Sequence, residues 1–424
     1  MIREVDILIV GAGPAGCAAA YDLAQSGKHV ILLDKRNFPR PKACACGLTR
    51  KTLKALRYSV DPVIERVCHE IVLQQSTEPA DSQPRASEVR VKTRNPICAM
   101  AVREHFDNFC LQQTLLSARQ GGSIELRKID HISALRELPD HIELDIATPH
   151  GTETLRAPIL IGADGSNGQT RRLQCHHSRG TQISPSVQDS AQEDGFALEA
   201  TVPYTRLPAT LPGGASPHDL VFDFAPLPGG YGWLFPKADH INIGVGAFAP
   251  SSAAPSSQKL SPSAQDSPQD LKQVTRALLL DYAQQKLGIT TLDHITGQQL
   301  GMGGHNYIPQ GRVLLVGDAA GLVDPLTGEG IHSAVVSGQA AAAAILECDL
   351  NGQPNDVADA YAHHLSPLQK TLTFSRRAAR AFYAQPERGF KAMRYPFMRS
   401  LILKTYADGL PHTNLIAALA KLTT

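Results

Sequence analysis

A strand, a run of glycines, a helix, a second strand and an acid follow one another at the start of the chain, and few folds accept that order. Residues 5–10 (VDILIV) are an apolar, largely β-branched run of strand length, the pattern of a parallel strand buried on both faces. Gly11, Gly13 and Gly16 follow at once in G-x-G-x-x-G spacing. Each glycine has a job in a nucleotide-binding turn: the tight bend, close backbone approach to a pyrophosphate, and close helix–strand packing. Pro14 and Ala15 open the helix predicted to Gln25, where a missing proline N–H costs nothing. The N–H groups of that first turn, with the helix dipole, suit phosphate. Residues 29–33 read as the second strand. Asp34 closes it about twenty residues after the glycines, where a carboxylate binds a ribose hydroxyl. Lys35 and Arg36 complete this part of the candidate cofactor set.

A second glycine-rich segment, VLLVGDAAGLVDPLTGEGI (residues 313–331), offers a buried strand, the carboxylate of Asp318 and a helix start after Gly330. Together the two segments predict one large dinucleotide, FAD, held by distant parts of the chain. With 424 residues the chain is long enough for two or more lobes. Its formal charge of +1 gives no field that would suggest nucleic acid. The eight cysteines form no paired framework, and no cationic, apolar leader precedes the first strand. Both features predict free thiols in a reducing cytoplasm. No apolar stretch reaches the roughly 20 residues needed to span a bilayer, so any membrane contact is expected to be peripheral.

Along the chain, residues 50–56 and 102–119 have helical periodicity. Residues 70–73 and 88–92 read as strands around a polar stretch at 76–87. Residues 123–146 alternate as a strand pair with a charged turn at 136–140. Residues 159–161 form a short strand ahead of GADGSNG. Residues 181–194 are polar, and 249–270, rich in Ser, Pro, Ala and Gln, read as a surface insertion. Residues 220–224, 232–235 and 241–248 read as an antiparallel sheet. Helical spacing returns at 271–286, at 331–346 and on toward the end. The expected class is α/β: a Rossmann-type FAD-binding domain with a parallel sheet, interrupted by an antiparallel-sheet α+β substrate domain, with a helical C-terminal region. The expected division is 1–72, 101–178 and 296–346 for the cofactor, 73–100 and 179–295 for the substrate sheet, and 347–424 for the helices.

Further segments resemble one family. LIGADGSNGQTRR (residues 160–172) resembles the Asp-Gly motif of FAD-dependent hydroxylases and their relatives. VREHFDNFCLQQ (residues 102–113) resembles their Arg-x-x-Phe-Asp helix, and residues 316–331 their second FAD motif. PKACACGLT (residues 41–49) and GGYGWLFPK (residues 229–237) are similar to the Pro-Lys-x-Cys loop and the Tyr-x-Trp-x-Phe-Pro-Lys motif of geranylgeranyl reductases. The likeness runs in motif order over most of residues 5–344. It implies cofactor contacts from Arg103, Asp164, Gly165, Asp318, Gly328, Gly330 and Ile331, and from Cys44, Ala45 and Gly47 of the cysteine loop. A helix N-terminus at Gly330 and Ile331 would favour the negative charge of reduced flavin. One departure is Cys44-Ala45-Cys46-Gly47 where many bacterial and plant-type members carry Cys-Gly-Gly. It lies nearer the Cys-Ala-x-Gly style of archaeal lipid reductases and leaves the substrate open.

The resemblance places Cys44 near flavin and substrate; a small buried thiol packing the loop is the plainer reading. A Cys44–Cys46 redox couple would be a strained pairing, and no second ligand pair accompanies it to make a zinc site. Tyr231, Trp233 and Phe235 alternate and so share one strand face; Tyr231 and Trp233 are expected to line an apolar pocket. Lys237 reads as a solvated strand end; Asp324 and Glu329 read as acid–base groups or equally as loop-shaping hydrogen-bond acceptors, and His332 as a structural histidine ahead of one near the flavin. Residues 388–404 mix basic and apolar side chains. They read as a stretch packed on its own protein, with a membrane surface as the alternative and Pro396 as a helix breaker. The expected activity is reduction of carbon–carbon double bonds in a prenyl or similar apolar substrate by hydride from reduced FAD. NAD(P)H or an electron-carrier protein would supply the electrons. The alternative is an FAD-dependent monooxygenase, a hydroxylase before a halogenase, acting on an aromatic substrate.

Overall fold

A computed structural model describes residues 2–77, 85–119, 121–177, 194–248, 273–350, 353–393 and 395–409. Nearly all of the expected polar stretch at 181–194 and the whole of the 249–270 insertion lie outside the described residues.

Five strands form an all-parallel sheet in the order Val313–Leu315, Ile159–Gly162, Ile7–Val10, His29–Asp34, Ser123–Lys128. Every residue of Ile7–Val10 and Ile159–Gly162 is buried, as continuous apolar runs in a doubly covered sheet require. The helices Pro14–Gln25 and Ile331–Glu347 pack against each other beside this sheet. Their crossing is close because the facing residues are small: a Cβ on Gly338 would run into the Ala15 carbonyl. Thus the two glycine-rich segments meet, as the sequence predicts. A smaller sheet, Ile2–Glu4, Gly151–Ala157, Ile142–Thr148 and His131–Glu137, shares the same core through Ile142, Leu144, Ile146 and Leu155.

The second large element is a seven-stranded sheet in the order Thr296–Gly301, Asp194–Pro203, His240–Ala247, Gly230–Pro236, Val221–Asp223, Glu70–Thr77, Arg85–Lys92. It is antiparallel except where Val221–Asp223 runs parallel to Glu70–Thr77. The boundaries drawn from the sequence at 72/73 and 295/296 therefore cut through this sheet. Glu70–Thr77 pairs along its length with Arg85–Lys92, and Thr296–Gly301 pairs with Asp194–Pro203. A second difference concerns residues 123–146. Ser123–Lys128 is the edge of the parallel sheet, not half of a hairpin; the hairpin is His131–Glu137 with Ile142–Thr148. Gly122 permits this, since a Cβ there would run into backbone at the end of Pro14–Gln25.

The described part of the C-terminal region is helical, as Pro354–Ala384, Pro386–Met393 and Pro396–Asp408, each opening on a proline; residues 410–424 lie outside the described residues. Pro396 separates the last two, so residues 388–404 are two helices. Phe390, Met393 and Leu403 are buried in one cluster with Tyr231, Trp233 and Phe235 of the seven-stranded sheet. No helix among the described residues is long and apolar enough to cross a membrane.

Candidate functional site

The turn after Ile7–Val10 is shaped by backbone crowding. Gly11 has φ +106°, and a Cβ there would strike the Ala163 carbonyl. A Cβ on Gly16 would strike the Gly11 carbonyl. Gly16 thus supports the turn from below and does not border the cleft. Gly13 caps Pro14–Gln25 with extended backbone and no side-chain cap, leaving the first N–H groups to whatever lies beyond. The Asp34 carboxylate ties the turn to the second strand: Ala12 N–H donates to Oδ2 at 2.9 Å and Arg36 N–H to Oδ1 at 2.8 Å. Each oxygen keeps acceptor capacity.

Above this turn lies a cleft of about 800 Å³. Gly11, Gly13, Pro14, Ala15, Asp34, Lys35 and Arg36 border one stretch of it, and Arg103, Asp164, Gly165 and Asp318 another. Arg40 and Lys42 add positive charge. Arg103, the first residue of Arg103–Leu115, is buried and grips Asp107 one helical turn on, with Nε–Oδ1 2.7 Å and a second bond of 2.8 Å. The pairing explains the Arg-x-x-Phe-Asp spacing, because a buried guanidinium needs a bidentate carboxylate. Asp164, which borders the cleft, also has a structural task. Its Oδ2 accepts the N–H groups of Gln169 (2.6 Å) and Thr170 (2.9 Å) and the Thr170 hydroxyl (3.1 Å), capping Gln169–His177.

Asp318 borders both this cleft and a smaller cavity of about 150 Å³. Gly328, Gly330 and Ile331 border the smaller one. Gly330 caps Ile331–Glu347 and, like Gly13, has no side-chain cap. The preceding loop is held by acids. Asp324 accepts the N–H groups of Leu326 (2.9 Å) and Thr327 (3.1 Å), and Glu329 accepts that of His332 (2.6 Å). Burial holds the His332 imidazole down to about 3, so it is neutral.

Tyr231, Trp233, Phe235, Phe222, Phe248 and Tyr406 wall the smaller cavity. On the neighbouring strand Tyr231 faces Gly246, Trp233 faces Gly244 and Phe235 faces Asn242. The glycines leave room for the rings: a Cβ on Gly244 would lie inside the Trp233 indole. Trp233 Nε1–H donates to Asn242 Oδ1 at 2.7 Å, and the Tyr231 hydroxyl donates to the Thr327 carbonyl. The cysteine loop lies where the two cavities meet. Cys44 borders both, and Ala45 and Gly47 the smaller one. Cys46 is buried and its N–H donates to Cys44 Sγ at 3.3 Å; both are free thiols.

Lys237 corrects the sequence reading. It is 2% exposed, and its ammonium donates to the carbonyls of Ala45 (2.5 Å) and Cys46 (3.4 Å). Burial pulls its pKa down. The apolar strand ahead of it was the signal: the chain enters the loop beneath Cys44 rather than solvent. Glu199 and Lys42 were not foreseen either. Glu199 sits mid-strand, 9% exposed, and its Oε1 accepts the Cys44 N–H at 2.7 Å. The lone acid in FALEATV (residues 196–202) is the signal that reveals it.

The cleft suits FAD. The turn at Gly13, the helix start at Gly330 and the basic side chains of Lys35, Arg36, Arg40, Lys42 and Arg103 offer pyrophosphate and flavin partners along the cleft. The family described as FAD binding domain matches residues 4–187. An uncharacterised protein of Methanosarcina barkeri is 30% identical over 81% of this chain and 75% of its own length. A digeranylgeranylglycerophospholipid reductase of Methanosphaera stadtmanae is 28% identical over 80% of this chain and 77% of its own. A menaquinone reductase of Mycolicibacterium smegmatis is 28% identical over 81% and 76%. The structure of a geranylgeranyl bacteriochlorophyll reductase-like protein from Thermoplasma acidophilum superposes with a TM-score of 0.68 at 20% identity, covering 91% of this chain and 89% of that one. With the fold, the two glycine-rich turns and these relatives in agreement, the chain is an FAD-dependent oxidoreductase and belongs to the geranylgeranyl reductase family.

Proposed function

We propose that this enzyme saturates carbon–carbon double bonds of a polyprenyl lipid or polyprenyl quinone. The observation that carries the reading is the aromatic cavity opening from the cofactor cleft at Cys44 and Asp318. Its aromatic wall, to which Tyr406 of the C-terminal helices contributes, favours a hydrocarbon. Relatives named for reducing isoprenoid lipids and a menaquinone support the same class. In this reading the candidate cofactor residues hold FAD: Pro14, Ala15 and the adjacent N–H groups at the pyrophosphate, Asp34 with Lys35 and Arg36 at the far ribose, and Asp318 with Gly330 and Ile331 along the ribityl chain and flavin edge. Bound and reduced, FAD supplies a hydride. Tyr231 and Trp233 orient the alkene, and Cys44 packs where cofactor and substrate meet.

NAD(P)H or an electron-carrier protein delivers the electrons. Tyr395 and Phe397, 60% and 67% exposed in the same segment as exposed Arg388, Lys391 and Lys404, form a peripheral contact with an anionic membrane surface from which the substrate is drawn. The test is anaerobic reduction of the purified flavoprotein followed by parallel assays. Flavin reoxidised by menaquinone or an isoprenoid lipid, with a saturated product, supports the reductase. Oxygen consumption coupled to hydroxylation of an aromatic compound, with no lipid product, replaces it with the monooxygenase.

A further inference from the structure

Hydride addition to an alkene leaves the second carbon in need of a proton, and the acids bordering the aromatic cavity are Glu199, Asp318 and Glu329. Glu329 is engaged by the His332 N–H and stands 3.6 Å from Lys51. Asp318 lies beside the uncapped helix start, within 3.4 Å of where a Cβ on Gly330 would stand. In the function proposed above, Asp318 is taken up by the ribityl chain of the cofactor. Glu199 lies on the aromatic floor itself. Glu199 pairs in register with Gly244, Gly244 with Trp233, and Trp233 with Phe222. Residues in register across a sheet share a face. Gly244 contributes no side chain between them, so carboxyl and indole are neighbours on that face. Asn242 bonds both groups, accepting the Trp233 Nε1–H and hydrogen-bonding Glu199. Glu199 also borders the larger cleft, which reaches the exposed Arg36 and Pro41 and so connects it to solvent.

We propose that Glu199 is the proton donor of the alkene reduction, an inference that rests on the function proposed above. One alkene carbon takes the hydride, with its electron pair, from reduced FAD. The Glu199 O–H bond breaks and its proton bonds the adjacent carbon as the π bond is consumed. FAD is left oxidised, and the Glu199 carboxylate regains a proton from water through the cleft. Delivering both together avoids a free carbanion or carbocation. The protonation state fits the task. Burial pushes the carboxyl up to about 7, against hydrogen bonds from the Cys44 N–H and Asn242 and the charges of Lys237 and Arg103. Lys42, Asp318 and His240 border the same cleft from the cysteine loop, the second glycine segment and the neighbouring strand.

The test uses full-length, FAD-loaded wild type, Glu199→Gln and Glu199→Asp, reduced anaerobically with dithionite. The probes are a digeranylgeranylglycerophospholipid and menaquinone in detergent micelles. The wild-type single-turnover rate should fall above pH about 7. Glu199→Gln should lose the rate by about 10²–10⁴-fold and lose the pH break, with FAD content unchanged, and Glu199→Asp should keep the break. Independently of turnover, infrared spectra of the wild-type holoenzyme should show a carboxylic C=O band titrating near pH 7. That band should be missing in Glu199→Gln. A Glu199→Gln enzyme with wild-type rate and break, or a wild type without the band, overturns the donor alone. Wild type that reduces neither lipid while the band titrates normally overturns the alkene reading, and the donor proposal falls with it.

Discussion

The cofactor cleft and the aromatic cavity share Cys44, Glu199 and Asp318, yet they are built from different materials. The cleft is shaped by backbone: Gly11 and Gly16 bring carbonyls and N–H groups into positions that a single Cβ would destroy. The cavity is shaped by side chains, with Tyr231, Trp233 and Phe235 on one strand face, the Trp233 indole lying over Gly244 and the Phe248 ring over Gly246. Backbone architecture tolerates almost no change at its glycines and is indifferent to most neighbours. An aromatic wall tolerates exchange of volume and shape, which is how one cofactor scaffold accommodates different substrates.

The comparison breaks most readily at Gly11. Gly11→Val adds a β-branched side chain at φ +106° against the Ala163 carbonyl. Strain and overpacking together should cost about 4 kcal/mol or more, measured by urea unfolding, and the purified protein should carry no flavin. Trp233→Ala should cost about 3–4 kcal/mol from lost core volume while flavin absorbance per chain stays at the wild-type level. Loss of flavin in that variant would show the two regions to be one unit. A pH series sharpens the boundary between them. The folded pKa of Glu199, about 7, lies above the ordinary 4.5, so between these values the native state holds a proton that the unfolded chain has released. Stability from this group is full below pH 4.5 and is lost as pH rises to about 7, by up to about 3 kcal/mol. Glu199→Gln should flatten that slope. The smallest effect is expected for Tyr231→Phe, which removes one hydrogen bond to the Thr327 carbonyl. It should cost about 1 kcal/mol by denaturant titration and weaken FAD binding only slightly.

The same contrast explains what was legible in the sequence. Gly11, Gly13, Gly16 and Asp34 act within one βαβ unit, so local spacing reveals them. The alternation of Tyr231, Trp233 and Phe235 reveals a shared face, but not that Gly244 and Gly246 lie opposite. Lys237 was misread because its partners are carbonyls of Ala45 and Cys46, far away in the chain. Glu199 escaped for the same reason: only the Cys44 loop and the strand carrying Asn242 turn a mid-strand acid into a buried, oriented one. The domain boundaries failed where strand pairing, not composition, decides membership. Thr296–Gly301 is polar enough to read as a connector and becomes a strand through Asp194–Pro203.

The central claim is that a backbone-built flavin site serves an apolar cavity that receives an alkene. Its most direct test is the anaerobic mixing of the reduced holoenzyme with menaquinone in micelles, following flavin absorbance and product mass together. The account predicts that oxidised flavin returns at the rate at which product gains two hydrogens in its polyprenyl chain. Flavin that stays reduced with every isoprenoid offered, but reoxidises rapidly once oxygen and an aromatic substrate are admitted, would contradict it.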